Sequence, residues 1–207
     1  MCGIAGRYNY LSHNPVDPDV LKGMCELLAH RGPDGEGVYH QQDMGFGHRR
    51  LAVLDLTEAA HQPMVRGNGR LVITYNGEIY NFKELRNTLE GFGHQFRSQS
   101  DTEVVLAAYE QYGVDCLRHF RGMFALAIWD AGQQQLFLAR DRAGKKPLYY
   151  RVDRHGIAFA SEPKAFLVDP AFQPQVDLAA MAHYLTYHYV PAPESAWDTM
   201  ISKRSKP

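Results

Sequence analysis

Four short apolar runs, at residues 124–130, 136–139, 148–152 and 157–160, follow one another with turns between them. Runs of this length bounded by turn formers read as antiparallel strands. More strands are predicted upstream, at 3–10, 38–41 and 44–53. Residues 71–75 read as a buried strand entered from the Gly67-Asn68-Gly69 turn. Helical spacing marks 18–29, with Val20, Leu21, Met24, Leu27 and Leu28 on one side, and 81–91, with Phe82, Leu85 and Leu89. Ser100-Asp101 forms an N-cap signal for a helix at 102–112, with Val105, Ala108 and Tyr112 inward, and a last helix is expected at 178–185. Residues 30–37 are rich in turn formers and read as a loop. Two prolines make 189–195 an extended linker. Strands interleave with helices in hairpin-like pairs, without regular βαβ alternation. That pattern specifies an α+β fold and disfavours a doubly wound sheet.

At 207 residues the chain can bury a substantial core without a disulfide or metal staple. Lys and Arg total 22 against 23 Asp and Glu, a net charge of −1, so no electrostatic case arises for nucleic acid or an anionic membrane as partner. One short basic run, Lys203-Arg204 with Lys206, lies at the C-terminus. No segment approaches the roughly 18 apolar residues of a membrane span, and the first ten residues lack a signal peptide's basic start and apolar stretch. Cys2, Cys25 and Cys116 are odd in number and widely spaced. They suit a reducing cytoplasm, where the protein is expected, and match no disulfide framework or metal site.

Several residues could carry chemistry. Cys2 directly follows Met1, and removal of Met1 would give one residue both a thiol and a free α-amine. Free α-amines have unperturbed pKa values of about 7.7–8.0, so such a group can act as general base for its own thiol. In YNGEIYN, at 75–81, Asn76 and Gly77 could offer a side-chain amide and a backbone N–H to one developing oxyanion, with Glu78 beside them for an amine. In HRRLAVLDL, at 48–56, an arginine could hold a carboxylate. Asp101 could pair with an ammonium group. Each has a plainer reading alone: a small buried residue, an Asn-Gly turn, a solvated strand end, a helix cap. Together they describe a site suited to free glutamine. Residues 140–146 (RDRAGKK) read as a polar turn before a strand rather than a phosphate site.

Eight motifs occur in order: MCGIAG, RGPDG, HRRLAVLDL, YNGEIYN, SDTEV, RGMFALAIWD, ARDRAGKKPLYY and ASEPKAF. On these motifs, from Met1 to about Trp197, the chain resembles the class II (N-terminal nucleophile) glutaminase domain of glutamine-hydrolysing asparagine synthetases. The resemblance implies a four-layer αββα sandwich of two stacked antiparallel sheets between helices. It implies Cys2 as nucleophile with its α-amine as base, and Asn76 and Gly77 as the oxyanion hole. Arg50, favoured over Arg49 by its place in the motif, would bind the glutamine carboxylate, and Glu78 and Asp101 the α-amine. Leu51, Ala52, Val53 and Leu54 would line the pocket; Arg31 and Asp34 would support the nearby loops. Residues 1–188 would form the glutaminase domain, and 189–207 a linker and the start of a synthetase domain that uses ATP and Mg²⁺. The glutaminase itself needs no cofactor. Its expected partners are L-glutamine and a synthetase domain or chain that receives ammonia; a homodimer stays open. No SGGxDS loop occurs before Pro207, so asparagine synthesis is not assigned to these residues. Two other readings stand beside this one. They are a silent glutamine-binding or docking domain, expected if Met1 is retained, and an amidotransferase with a different acceptor.

Overall fold

The computed structural model describes residues 1–191, 193–197 and 201–202. The chain runs β1 (Gly3–Tyr8), α1 (Pro18–Leu27), β2 (Gly35–Gln41), β3 (Met44–Arg50), β4 (Met64–Arg66), β5 (Leu71–Ile79), α2 (Phe82–Gly91), α3 (Asp101–Tyr112), β6 (Gly122–Asp130), β7 (Gln135–Arg140), β8 (Tyr149–Val152), β9 (Ile157–Ala160), α4 (Leu178–Tyr187) and β10 (Ile201–Ser202). Six strands form one sheet in the order β10-β8-β9-β1-β3-β2, and four form a second in the order β4-β5-β6-β7. All the pairs are antiparallel.

Strand alternation sorts the side chains into layers. Ile4, Met44, Phe46 and Phe159 of the larger sheet meet Val72, Ala125, Ala127 and Trp129 of the smaller one, forming the core between the sheets. On the outer face of the larger sheet, Leu21, Met24 and Leu28 of the α1 region pack with Ala5, Ala158 and Ala160. Gly47 leaves room for α1 there, since a Cβ would lie 2.4 Å from Cys25 Sγ. Leu71, Ile73 and Tyr75 pack outward against α2 and α3. The four-layer αββα sandwich is therefore present. Helix α3 is buried from Asp101 to Tyr109 on every face, wider than the single inward face expected. Its N-cap is Ser100, whose hydroxyl accepts from Thr102 N–H at 3.1 Å.

Three boundaries differ from expectation, and each bears on the cleft described below. Strand β2 begins inside the expected 30–37 loop, because Gly35 and Glu36 pair with Arg50 and Arg49. Strand β3 ends at Arg50, short of residue 53, because Leu51 N–H turns to Cys2 Sγ at 3.4 Å and Ala52 N–H to Asp34 Oδ2 at 2.9 Å. Strand β5 continues past Tyr75 to Ile79, pairing Asn76, Gly77 and Glu78 with Ala125, Phe124 and Met123. Asn76-Gly77 is thus strand, not turn. Strand β4 had no counterpart in the sequence reading. Towards the C-terminus, Val176 bridges Trp197, and the backbone of β10 pairs with β8. The basic run at 203–206 lies outside the described residues.

Candidate active site

A cleft of about 200 Å³ opens where β1, β3 and β5 meet the N-terminus of α3, and Cys2, Arg50, Asn76, Gly77, Glu78 and Asp101 all line it. Pockets for drug-sized ligands are larger, about 300–1,000 Å³, so this one suits a molecule the size of an amino acid. Of the three cysteines, Cys25 and Cys116 are buried, with thiols pushed up to about 12 chiefly by that burial. Only Cys2 reaches the cleft. Its carbonyl accepts from Arg31 Nε at 3.0 Å, and Arg31 Nη1 donates to Glu162 at 2.7 Å. Its sulfur contacts the Leu51 backbone. Met1 also lines the cleft.

The smaller sheet supplies two hydrogen-bond donors. Asn76 is 1% exposed, and its Nδ2 is buried without a partner. Buried amides in folded proteins are nearly always bonded, so an orphaned one facing a cleft marks a place for an acceptor. Gly77 faces Phe124 in the β5–β6 register. Phe124, however, donates its N–H to Asp141 Oδ2 at 3.1 Å, and its carbonyl accepts from Asp141 N–H at 2.8 Å. Antiparallel ladders alternate bonded with non-bonded pairs, so Gly77 occupies a non-bonded position and turns its N–H away from β6. Tyr75 and Ile79 turn theirs the same way, to Gln62 Oε1 at 2.7 Å and Asp101 Oδ2 at 3.0 Å. The Gly77 N–H lies between these two, towards the cleft. A side chain at Gly77 is excluded, because a Cβ would sit 2.5 Å from the Met123 carbonyl oxygen.

The charged groups divide clearly. Arg50 is 7% exposed and reaches the cleft, its guanidinium braced by the carbonyls of Asp55 and Thr57. Arg49 instead pairs with Glu36. Asp101 is 4% exposed, and its Oδ2 also accepts from Tyr75 Oη at 2.7 Å. Burial raises its pKa above the usual carboxylate value, against the lowering effect of the hydrogen bonds from Ile79 and Tyr75. Leu51, Val53 and Leu54 form a wall; Ala52, expected with them, is outside the lining and is tied to Asp34. The sequence reading missed Gln62, Tyr75, Thr102, Met123 and Lys146, which also line the cleft. Tyr75 opens the YNGEIYN motif itself. Gln62 and Lys146 come from segments whose approach depends on tertiary structure.

Residues 1–203 match the model of the family described as the glutamine amidotransferase domain. The chain belongs to that family. This glutamine amidotransferase domain is 39% identical over 205 residues to asparagine synthetase [glutamine-hydrolyzing] 1 of Bacillus subtilis, covering 98% of the chain and 32% of the relative. It is 35% identical to putative asparagine synthetase [glutamine-hydrolyzing] 2 of Methanocaldococcus jannaschii, covering all of the chain and 43% of that relative. The domain thus spans well under half the length of these relatives. Among solved structures, the glutamine phosphoribosylpyrophosphate amidotransferase of B. subtilis superposes with a TM-score of 0.70 at 21% identity, covering 99% of this chain and 49% of that one. That likeness shows a shared fold.

Proposed function

We propose that the domain hydrolyses L-glutamine to glutamate and ammonia through a Cys2 thioester, and that a synthetase domain consumes the ammonia in ATP-dependent asparagine synthesis. The observation that carries the reading is the unpartnered Asn76 amide in the cleft that holds Cys2. Removal of Met1 frees the α-amine of Cys2, which takes the thiol proton. The sulfur then attacks the side-chain carbonyl carbon of glutamine. Asn76 Nδ2–H and Gly77 N–H donate to the resulting oxyanion, a stabilisation worth about 2.7–4 kcal/mol per donor in comparable sites. Collapse forms the thioester and expels ammonia, which carries away the proton held by the amine. Water then adds to the thioester carbon, and the carbon–sulfur bond breaks to give glutamate and the thiol. Arg50 holds the α-carboxylate, Asp101 and Glu78 the α-ammonium, and Leu51, Val53 and Leu54 the aliphatic chain.

ATP and Mg²⁺ belong to the synthetase part, and no step above uses them. Among the described residues no group of three His, Cys, Asp or Glu side chains is placed to hold a metal. We assign residues 1–188 to the glutaminase and 189–207 to the connection towards the synthetase domain. The free thiols favour a cytoplasmic site, and no helix among the described residues is long and apolar enough to cross a membrane.

The test is intact mass and N-terminal sequencing after incubation with 6-diazo-5-oxo-norleucine. A chain beginning at Cys2, labelled once and protected by glutamine, is expected. A chain that keeps Met1, or takes no label, defeats the hydrolytic reading and leaves a glutamine-binding domain without turnover.

A further inference from the structure

The proposed chemistry leaves one charged group in the cleft without a task. Lys146 is 7% exposed and lines the cleft together with Cys2 and Asn76. Its backbone is fixed from both sides: the N–H donates to Asp141 Oδ2 at 3.0 Å, and the carbonyl accepts from Arg140 Nε at 2.5 Å. No carboxylate among the described residues pairs with its ammonium. A lysine held this way, lining a ligand cleft with no carboxylate of its own, is a place for an anion.

Its position indicates which end of the ligand it meets. Leu148, two residues on, packs between the sheets with Ala125, and Ala125 pairs with Asn76. Met123, on the same strand as Ala125, lines the cleft with Lys146. Lys146 therefore approaches from the Asn76 side, where the substrate's side-chain carbonyl meets Cys2. Arg50 already matches the α-carboxylate, and Asp101 and Glu78 the α-ammonium. At the Asn76 end a neutral amide arrives and a full negative charge departs. When water adds to the thioester, the α-amine takes one proton from the water and passes it to the sulfur as the sulfur–carbon bond breaks, and the new γ-carboxylic acid loses its remaining proton to solvent.

We propose that Lys146 binds the γ-carboxylate of product glutamate, so that the cleft distinguishes glutamate from glutamine by charge at this end. The inference rests on the glutaminase reading above. Titration calorimetry on the full chain carrying Cys2→Ala, which stops turnover, tests it with L-glutamine and L-glutamate as separate probes. Adding Lys146→Met is expected to weaken glutamate roughly tenfold or more and to leave glutamine within about twofold. Adding Lys146→Arg, which keeps the charge, is expected to retain glutamate. The unchanged glutamine affinity shows that the Lys146→Met chain is folded. Equal losses for both ligands, or no loss for either, overturn the proposal while leaving the glutaminase reading in place. A Cys2→Ala chain that keeps Lys146 and binds neither ligand overturns both.

Discussion

Asp101 shows how one side chain here carries two constraints. Its Oδ2 is fixed by Tyr75 Oη and the Ile79 N–H, while burial raises its pKa. Only the ionised carboxylate can pair with a substrate ammonium. As pH falls through that raised value, binding weakens, so the glutamine affinity of the Cys2→Ala chain falls off at a higher pH than an unshifted carboxylate would give. Tyr75→Phe removes a hydrogen bond that favours the ionised form and moves this fall to still higher pH; titration calorimetry across pH on Cys2→Ala chains with and without Tyr75→Phe decides it. An unmoved fall sinks the assignment of Asp101 to the ammonium. Asn76→Ala is expected to lower kcat by about 10²–10³ with a much smaller change in KM, as measured by steady-state ammonia release. These residues were legible in the sequence because each stands in a compact motif. Their partners Gln62, Tyr75 and Lys146 were not assigned to the cleft, because contacts such as that of Gln62 with Thr102 span long stretches of chain.

Elements position these residues by where they stop. Strand β3 ends where Leu51 turns towards Cys2, and β4 begins only at Met64, late enough for the side chain of the preceding Gln62 to take the Tyr75 N–H. Sequence periodicity located most strands and helices but not these ends, because a strand ends where its ladder partner ends, and partners are distant in sequence. Strand β4, three residues long, is too short to show a period at all. The whole-round burial of α3 was hidden for a related reason: its polar first turn, Asp101, Thr102 and Glu103, is buried against the cleft and the 97–98 backbone. Its Ser100 cap gives a direct test. Ser100→Ala is expected to destabilise the fold by about 1 kcal/mol in urea titration, and a loss near zero would show that the cap is dispensable.

At the scale of the whole molecule, a buried neutral imidazole makes stability fall in acid. His48 is fully buried between the sheets with Nδ1 against Thr74 Oγ1, and burial followed by the nearby Arg50 lowers its pKa from 6.5 to about 3. The unfolded chain therefore binds a proton near pH 6.5 that the native state refuses. Stability is full above that pH and falls as pH drops towards 3, with a slope of at most about 1.4 kcal/mol per unit from this group. Urea midpoints at pH 7 and 5 are expected to differ, and His48→Gln to flatten the difference. The α+β class was readable from the hairpin-like runs, and the four layers followed from the resemblance. The contacts that clamp the larger sheet, where Arg7 and Arg151 share Asp153 and Asp169, gave no local signal. Cys2 leads into a strand of the larger sheet, whereas Asn76 and Gly77 belong to the smaller, and among the described residues no ladder joins the two. Their separation is set by the interleaved side chains of Phe46, Phe159 and Trp129 and by the Thr74 hydroxyl reaching the Gly47 carbonyl at 3.2 Å. The two sheets thus work as the arms of a calliper whose setting is held by packing. On warming, turnover would fade as that setting loosens, before the strands themselves melt.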